Sequence, residues 1–98
     1  MPSRVFFTPS AKQDVTEAKQ WYSKESESLA KRFVEDLQAA TNRISNNADQ
    51  YSIVYRDVRQ CRLTDFPYVI SFRIAIGIVE VLAVLHGSRD PRLWKRRS

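Results

Sequence analysis

The chain is poor in the residues that most often carry chemistry: its 98 residues include one Cys, one His and two Gly. With only Cys61, no internal disulfide forms, and stability cannot lean on an oxidising compartment. One His and one Cys, without paired-ligand spacing, exclude an ordinary zinc or iron centre. Gly77 and Gly87 cannot build a glycine-rich phosphate loop, and each reads more simply as a turn residue. No apolar run approaches the length of a membrane span or resembles the core of a signal peptide, so neither insertion nor export is expected, and the expected location is cytoplasmic. A chain of this length builds one hydrophobic core but not a deep cavity for a large cofactor. Residues 1–98 are therefore expected to form a single domain without a cofactor or metal, with any function on an open face.

What is present is positive charge, unevenly placed. The chain carries 16 Lys and Arg against 11 Asp and Glu, a formal +5. Up to Tyr55 the seven basic and seven acidic residues cancel, whereas residues 56–98 hold nine basic residues against four acidic ones. Eight of those nine are Arg, whose planar fork suits phosphate and carboxylate. An anionic partner is the first functional expectation.

The hydrophobic pattern sets the element order. Arg4-Val5-Phe6-Phe7 reads as a short strand, and Thr8-Pro9-Ser10 stops it and starts a helix. Ala11, Val15, Ala18 and Tyr22 then recur at helical spacing, and after a polar break at Ser23–Ser28 the pattern resumes with Leu29, Phe33, Leu37, Ala40 and Ile44. A break this short predicts an antiparallel helical hairpin. Tyr51–Arg56, Arg59–Thr64, Tyr68–Ala75 and Ile78–His86 are β-branched and aromatic runs with tight gaps, which predicts an antiparallel meander. The predicted fold is α+β: an antiparallel sheet with an N-terminal strand and a two-helix hairpin packed on one face. In the last strand, strict alternation puts Val79, Val81, Ala83 and Leu85 on the helices and turns His86 away from them. The polar stretch after His86 is expected to be a turn followed by an irregular or short helical end.

Among residues that could carry chemistry, the carboxylates Glu35 and Asp36 read as a solvated helix face. His86 has two readings: a general acid or base, or a hydrogen-bond donor to phosphate, at a strand end beside arginines, or a hydrogen-bonded residue fixing the turn at Gly87. Arg56, Arg59, Arg62 and Arg73 fall in strands whose outer face should be open, and Arg89 and Arg92 follow the last strand. They are expected to converge into one basic surface, interleaved with aromatics such as Trp94. Asp90 and Pro91 read as turn residues.

The segment Phe66-Pro67-Tyr68-Val69-Ile70, the Ile78–Leu85 strand and His86-Gly87-Ser88-Arg89-Asp90-Pro91 followed by Trp94 resemble the ParE branch of the RelE/ParE toxin superfamily. Ala11, Trp21-Tyr22, the Phe33 helix and Val58-Arg59 extend the resemblance over almost the whole chain. It implies the toxin of a bacterial type II toxin-antitoxin pair, bound in a hetero-oligomer by an acidic antitoxin whose disordered segment folds over it. The expected landing surface is the apolar groove beside the helical hairpin together with Arg56, Arg62 and Arg73. The ParE branch poisons DNA gyrase, which needs binding energy and no covalent step; Arg59, His86, Arg89, Arg92 and Trp94 are the expected target-binding residues. The RelE branch cuts messenger RNA on the ribosome, and His86, Arg62 and Arg89 would be the catalytic set on that alternative. Here the arginine that those nucleases carry near Phe66-Pro67-Tyr68 is missing. A plain nucleic-acid-binding module is a third reading, one that leaves these motif matches unexplained.

Overall fold

Thr8 and Pro9 do what their residue types dictate. In the computed structural model, which describes residues 3–98, the Thr8 hydroxyl accepts a hydrogen bond from the Ala11 N–H at 3.2 Å and Pro9 opens the first helix. Strand β1 (Arg4–Phe7) thus runs directly into α1 (Pro9–Glu25). The break before α2 (Glu27–Asn47) is a single residue rather than the polar stretch expected. Ser26 is extended (φ −167°, ψ 148°), donates its N–H to Tyr22 O, and accepts from the Leu29 N–H with its hydroxyl at 3.0 Å. One residue therefore closes one helix and caps the next, so no loop is needed.

A short 3-10 turn (Ala48–Gln50) leads to β2 (Ile53–Tyr55), β3 (Val58–Arg62), β4 (Tyr68–Ala75) and β5 (Ile78–His86), and α3 (Arg92–Lys95) follows. The sheet order is β1-β5-β4-β3-β2. The meander β2 to β5 is antiparallel as predicted, but β1 pairs parallel with β5, from Arg4 opposite Ile78 to Phe7 opposite Val81, so the sheet is mixed. Hairpin signals lie between sequence neighbours, whereas the direction of a strand pairing across more than seventy residues has no local signature.

The helical hairpin packs on one face of this sheet. Phe33, Leu37, Ala40 and Ile44 of α2 meet Cys61, Ile70, Phe72, Val79, Val81 and Val84. At one end Tyr22, Phe33, Phe66 and Tyr68 form an aromatic cluster with centroids 4.9 to 6.1 Å apart.

Alternation in β5 is interrupted. Phe72 faces Val81, and the next residue back, Ser71, faces Ala83, so Leu82 is an extra residue in β5. A bulge shifts the side-chain parity beyond it. Val79 and Val81 point at the helices as expected, but past the bulge it is Val84 and His86 that do so, opposite Ile70 and Tyr68. Ala83 and Leu85 turn to the other face, and the expectation that His86 points away from the helices is overturned. Nor is that other face open: Val58, Ser71 and Ala83 are buried on it, outside the main core cluster. The cover is the segment after β5. An uninterrupted apolar run from Val81 to Leu85 is what a strand covered on both faces reads like.

At the β4–β5 turn, Ile76 has φ 38° and is fully exposed, followed by Gly77 at φ 75°. A β-branched residue in the left-handed region is strained and gains nothing here from burial. Ile76→Asn, which tolerates that region, is expected to raise stability by about 1 kcal/mol, read as a higher urea midpoint with an unchanged slope.

Candidate functional site

Arg56, Arg62, His86, Arg89, Asp90, Arg92 and Trp94 gather around the segment that follows β5. Gly87 donates its N–H to Pro67 O at 2.8 Å, and Arg89 donates to His86 O. His86 Nδ1 accepts the Ser88 N–H at 3.0 Å and lies 2.7 Å from the Ser88 hydroxyl. A backbone N–H can only donate, so the neutral imidazole carries its proton on Nε2. The half-buried ring packs edge-on against Tyr68 at 5.6 Å. His86 therefore has the turn-fixing role, and its remaining nitrogen is a donor in the neutral form.

Asp90 opens the last helical turn. Its carboxylate accepts the Arg92 N–H at 3.0 Å and the Arg92 Nε and Nη2 at 2.9 and 2.6 Å. The guanidinium and the backbone bond hold the Asp90 carboxyl below its ordinary range. Helix α3 then lays Trp94 against Tyr55, ring centroids 6.0 Å apart at 79°. Lys95 Nζ stands 5.0 Å from the Tyr55 ring and Arg56 stands 5.2 Å from it.

The segment is tied to the far side of the fold by a residue pair that sequence reasoning passed over. Arg97 donates through Nη1 and Nη2 to the Asp14 carboxylate at 2.6 and 3.2 Å, and through Nη1 to Leu82 O at 3.1 Å. Asp14 also accepts the Val84 N–H at 3.0 Å. β1 covers β5 only as far as Val81, so the pair supplies backbone partners to the next stretch of that edge. Asp36 has a similar use: its two oxygens accept the N–H groups of Thr64, Asp65 and Phe66 at 2.8 to 3.1 Å, fixing the β3–β4 loop. Glu35 is exposed as expected, but Asp36 is buried, and its assignment to a solvated face is corrected. A signal was present for both. Asp14 stands between Ala11 and Ala18, and Asp36 between Phe33 and Ala40, each inside the apolar stripe of its helix.

The expected single basic surface is divided. Arg56 and Arg92 do converge, in an open groove of about 740 Å³ that they line with Tyr55, Asp90, Lys95 and Arg96. Arg62, His86, Arg89 and Trp94 line a separate cavity of about 140 Å³ whose floor includes Gln60 and Ser71. Arg59 joins neither: it faces the helix side and donates to Asp49 O and Tyr51 O at 3.0 and 2.6 Å, clamping the 3-10 turn. Arg73 is bound to Glu80 across β4 and β5 at 2.9 Å. Burial raises the phenols of Tyr22 and Tyr68, with the Arg89 charge pulling Tyr68 part of the way back. Both stay neutral near pH 7.

Two apolar features lie near these sites. Val5, Phe6, Phe7, Val15 and Leu37 line a groove of about 550 Å³ where β1 meets the helices, and Phe6 is half exposed. Trp21, on α1, is 66% exposed beside a cavity that Tyr68, His86 and Arg89 also line. Among the described residues no group of three or more His, Cys, Asp or Glu is placed to hold a metal ion, and no helix is long and apolar enough to cross a membrane.

Residues 5–91 match the family described as ParE toxin of type II toxin-antitoxin system, parDE. No curated protein matches the chain. Among solved structures, the fold resembles a chain of a chromosomal ParDE toxin-antitoxin system from P. aeruginosa. The TM-score is 0.76 at 18% identity, over 86% of this chain and 95% of that one.

Proposed function

The chain belongs to the ParE toxin family of type II toxin-antitoxin systems, and from that premise we propose that it poisons DNA gyrase by binding alone and is neutralised by an acidic antitoxin segment that folds over it. The observation that carries the non-catalytic reading is the state of His86. Its Nδ1 accepts the Ser88 N–H, and burial raises the Tyr68 phenol beside it, which supports binding over base catalysis at this site. The target-binding surface in this reading is the cavity wall of His86, Arg89 and Trp94; Arg92 lies in the other groove, paired with Asp90. Arg59 leaves that set because its guanidinium is engaged by main-chain carbonyls. The apolar groove along β1 and the helices suits the hydrophobic anchors of an antitoxin, which pays the ordering cost of a disordered segment with buried apolar area. Arg62, exposed on the sheet, would meet that segment's carboxylates; Arg73 is already neutralised by Glu80, and Arg56 stands apart in the groove with Lys95 and Arg96.

The test adds purified toxin to a gyrase supercoiling and cleavage assay and, in parallel, to ribosomes translating a reporter message. Trapped cleaved DNA is expected. Arg89→Ala and Trp94→Ala are each expected to weaken gyrase inhibition about 30-fold, the size of an interface hot spot, while folding and antitoxin binding persist. A double variant that still inhibits would sink the assignment. The ribonuclease reading keeps one favourable observation, since Arg62, His86 and Arg89 line one cavity. Site-specific cuts in the message, lost in His86→Ala, would establish it instead.

A further inference from the structure

The groove lined by Tyr55, Arg56, Asp90, Arg92, Lys95, Arg96 and Ser98 carries four cationic side chains and one carboxylate side chain. Arg92 and Asp90 neutralise each other. Among the described residues, Arg56, Lys95 and Arg96 then have no side-chain ion-pair partner, and they stand along one open wall. We infer that this groove binds the phosphodiester backbone of a nucleic acid without reading its sequence, through Arg56, Lys95 and Arg96.

Three features select that ligand over an acidic peptide. First, the groove offers no apolar pocket for side-chain anchors; its one aromatic wall, Tyr55, already carries Arg56 and Lys95 over its ring. A peptide that folds on binding needs such anchors, and this protein presents them elsewhere, along β1. A phosphate backbone needs none, and neutralising it is driven by release of condensed counterions. Second, two of the three groups are guanidinium forks, matched to phosphate oxygens, and both cations on Tyr55 are held in place by its ring rather than free to sweep through solvent. Third, Arg56 is held in a costly conformation. Its φ is 53°, in the left-handed region, at a two-residue turn where Gly or Asn would be unstrained. It is exposed, so packing does not require it. Strain kept at an exposed cation is expected where that cation serves a ligand.

The inference goes beyond the gyrase reading and is tested without gyrase, so either can fail alone. The whole chain is titrated against a short fluorescent DNA duplex, and anisotropy is read between about 50 and 200 mM salt. Three phosphate contacts predict a log-log slope of about −2.7, hence an affinity loss of about 40-fold across that range. The double variant Arg56→Gly, Arg96→Gln leaves one contact and should lose only about 3.5-fold across the same range. It should also melt no lower than the parent, because glycine relieves the turn. A control of equal charge loss, Lys19→Gln with Lys31→Gln on exposed helix positions, should keep the parent slope. An RNA duplex of the same sequence, run alongside, identifies which backbone the groove fits better. The inference is overturned if the parent shows no salt-dependent binding, if both double variants flatten the slope alike, or if a poly-glutamate peptide at matched charge competes as well as unlabelled duplex.

Discussion

Asp14→Ala is expected to lower stability by about 3 kcal/mol and to free the segment after β5 from the sheet. Asp14 is buried and serves two partners, the Arg97 guanidinium and the Val84 N–H. Removing it leaves a buried N–H unsatisfied, at a cost of about 1 to 3 kcal/mol. It also leaves Arg97 facing the sheet edge without its counter-charge. Arg97 is about a quarter exposed and can turn toward water, so its share falls below the 3 to 5 kcal/mol of a fully buried broken pair. For a domain of this size the melting temperature should fall by about 15 °C. Hydrogen exchange should report it locally, with loss of protection at Val84 and in α3 before the rest of β5. Arg97→Ala leaves the buried Asp14 carboxylate without its counter-charge and should also destabilise, but it keeps the Val84 bond and so should keep exchange protection at Val84. Loss of Val84 protection in both variants would mean that the ion pair, and not the backbone contact, is what matters. The consequence reaches function: Arg89 and Trp94 ride on this segment, so Asp14→Ala should impair target binding without touching a target-binding residue.

Asp36→Ala carries the second large effect, about 3 to 4 kcal/mol, since one carboxylate holds three consecutive backbone N–H groups of the β3–β4 loop. Hydrogen bonds to a charged acceptor are worth about 1.5 to 3 kcal/mol each, less when one group shares them. Phe66 follows directly and packs edge-on against Tyr22 and Phe33, so loosening the loop also loosens the aromatic end of the core. Asp36→Asn keeps one acceptor oxygen and should recover part of the loss. Chemical denaturation of the three proteins decides it, and a loss below about 1 kcal/mol for the alanine variant would show that the loop is held by Phe66 packing alone.

These two residues also mark how far the sequence could be read. Both sit in an apolar helical stripe at the spacing of their buried neighbours, so the pattern that predicted the helices contained the anomaly. What the pattern could not say is which main-chain groups they meet, because Val84 lies 70 residues from Asp14 and Thr64 lies 28 from Asp36. Likewise the arginines are legible as a charge excess after Tyr55, while their division among a groove, a cavity, a cross-strand pair and a main-chain clamp depends on strand register.

By itself the sequence determined the element order, the helical hairpin, the antiparallel meander with β4 and β5 to the residue, the His86 to Trp94 motif and the family that motif resembles. These rest on periodicity and turn chemistry, which act between near neighbours. The tertiary structure alone decided the parallel placement of β1, the face on which His86 stands, and the partner of each arginine. One extra residue at Leu82 inverts the parity of everything after it in β5, and a parallel edge pairing closes across most of the chain. Both are long-range hydrogen-bonding choices with no local periodicity to announce them.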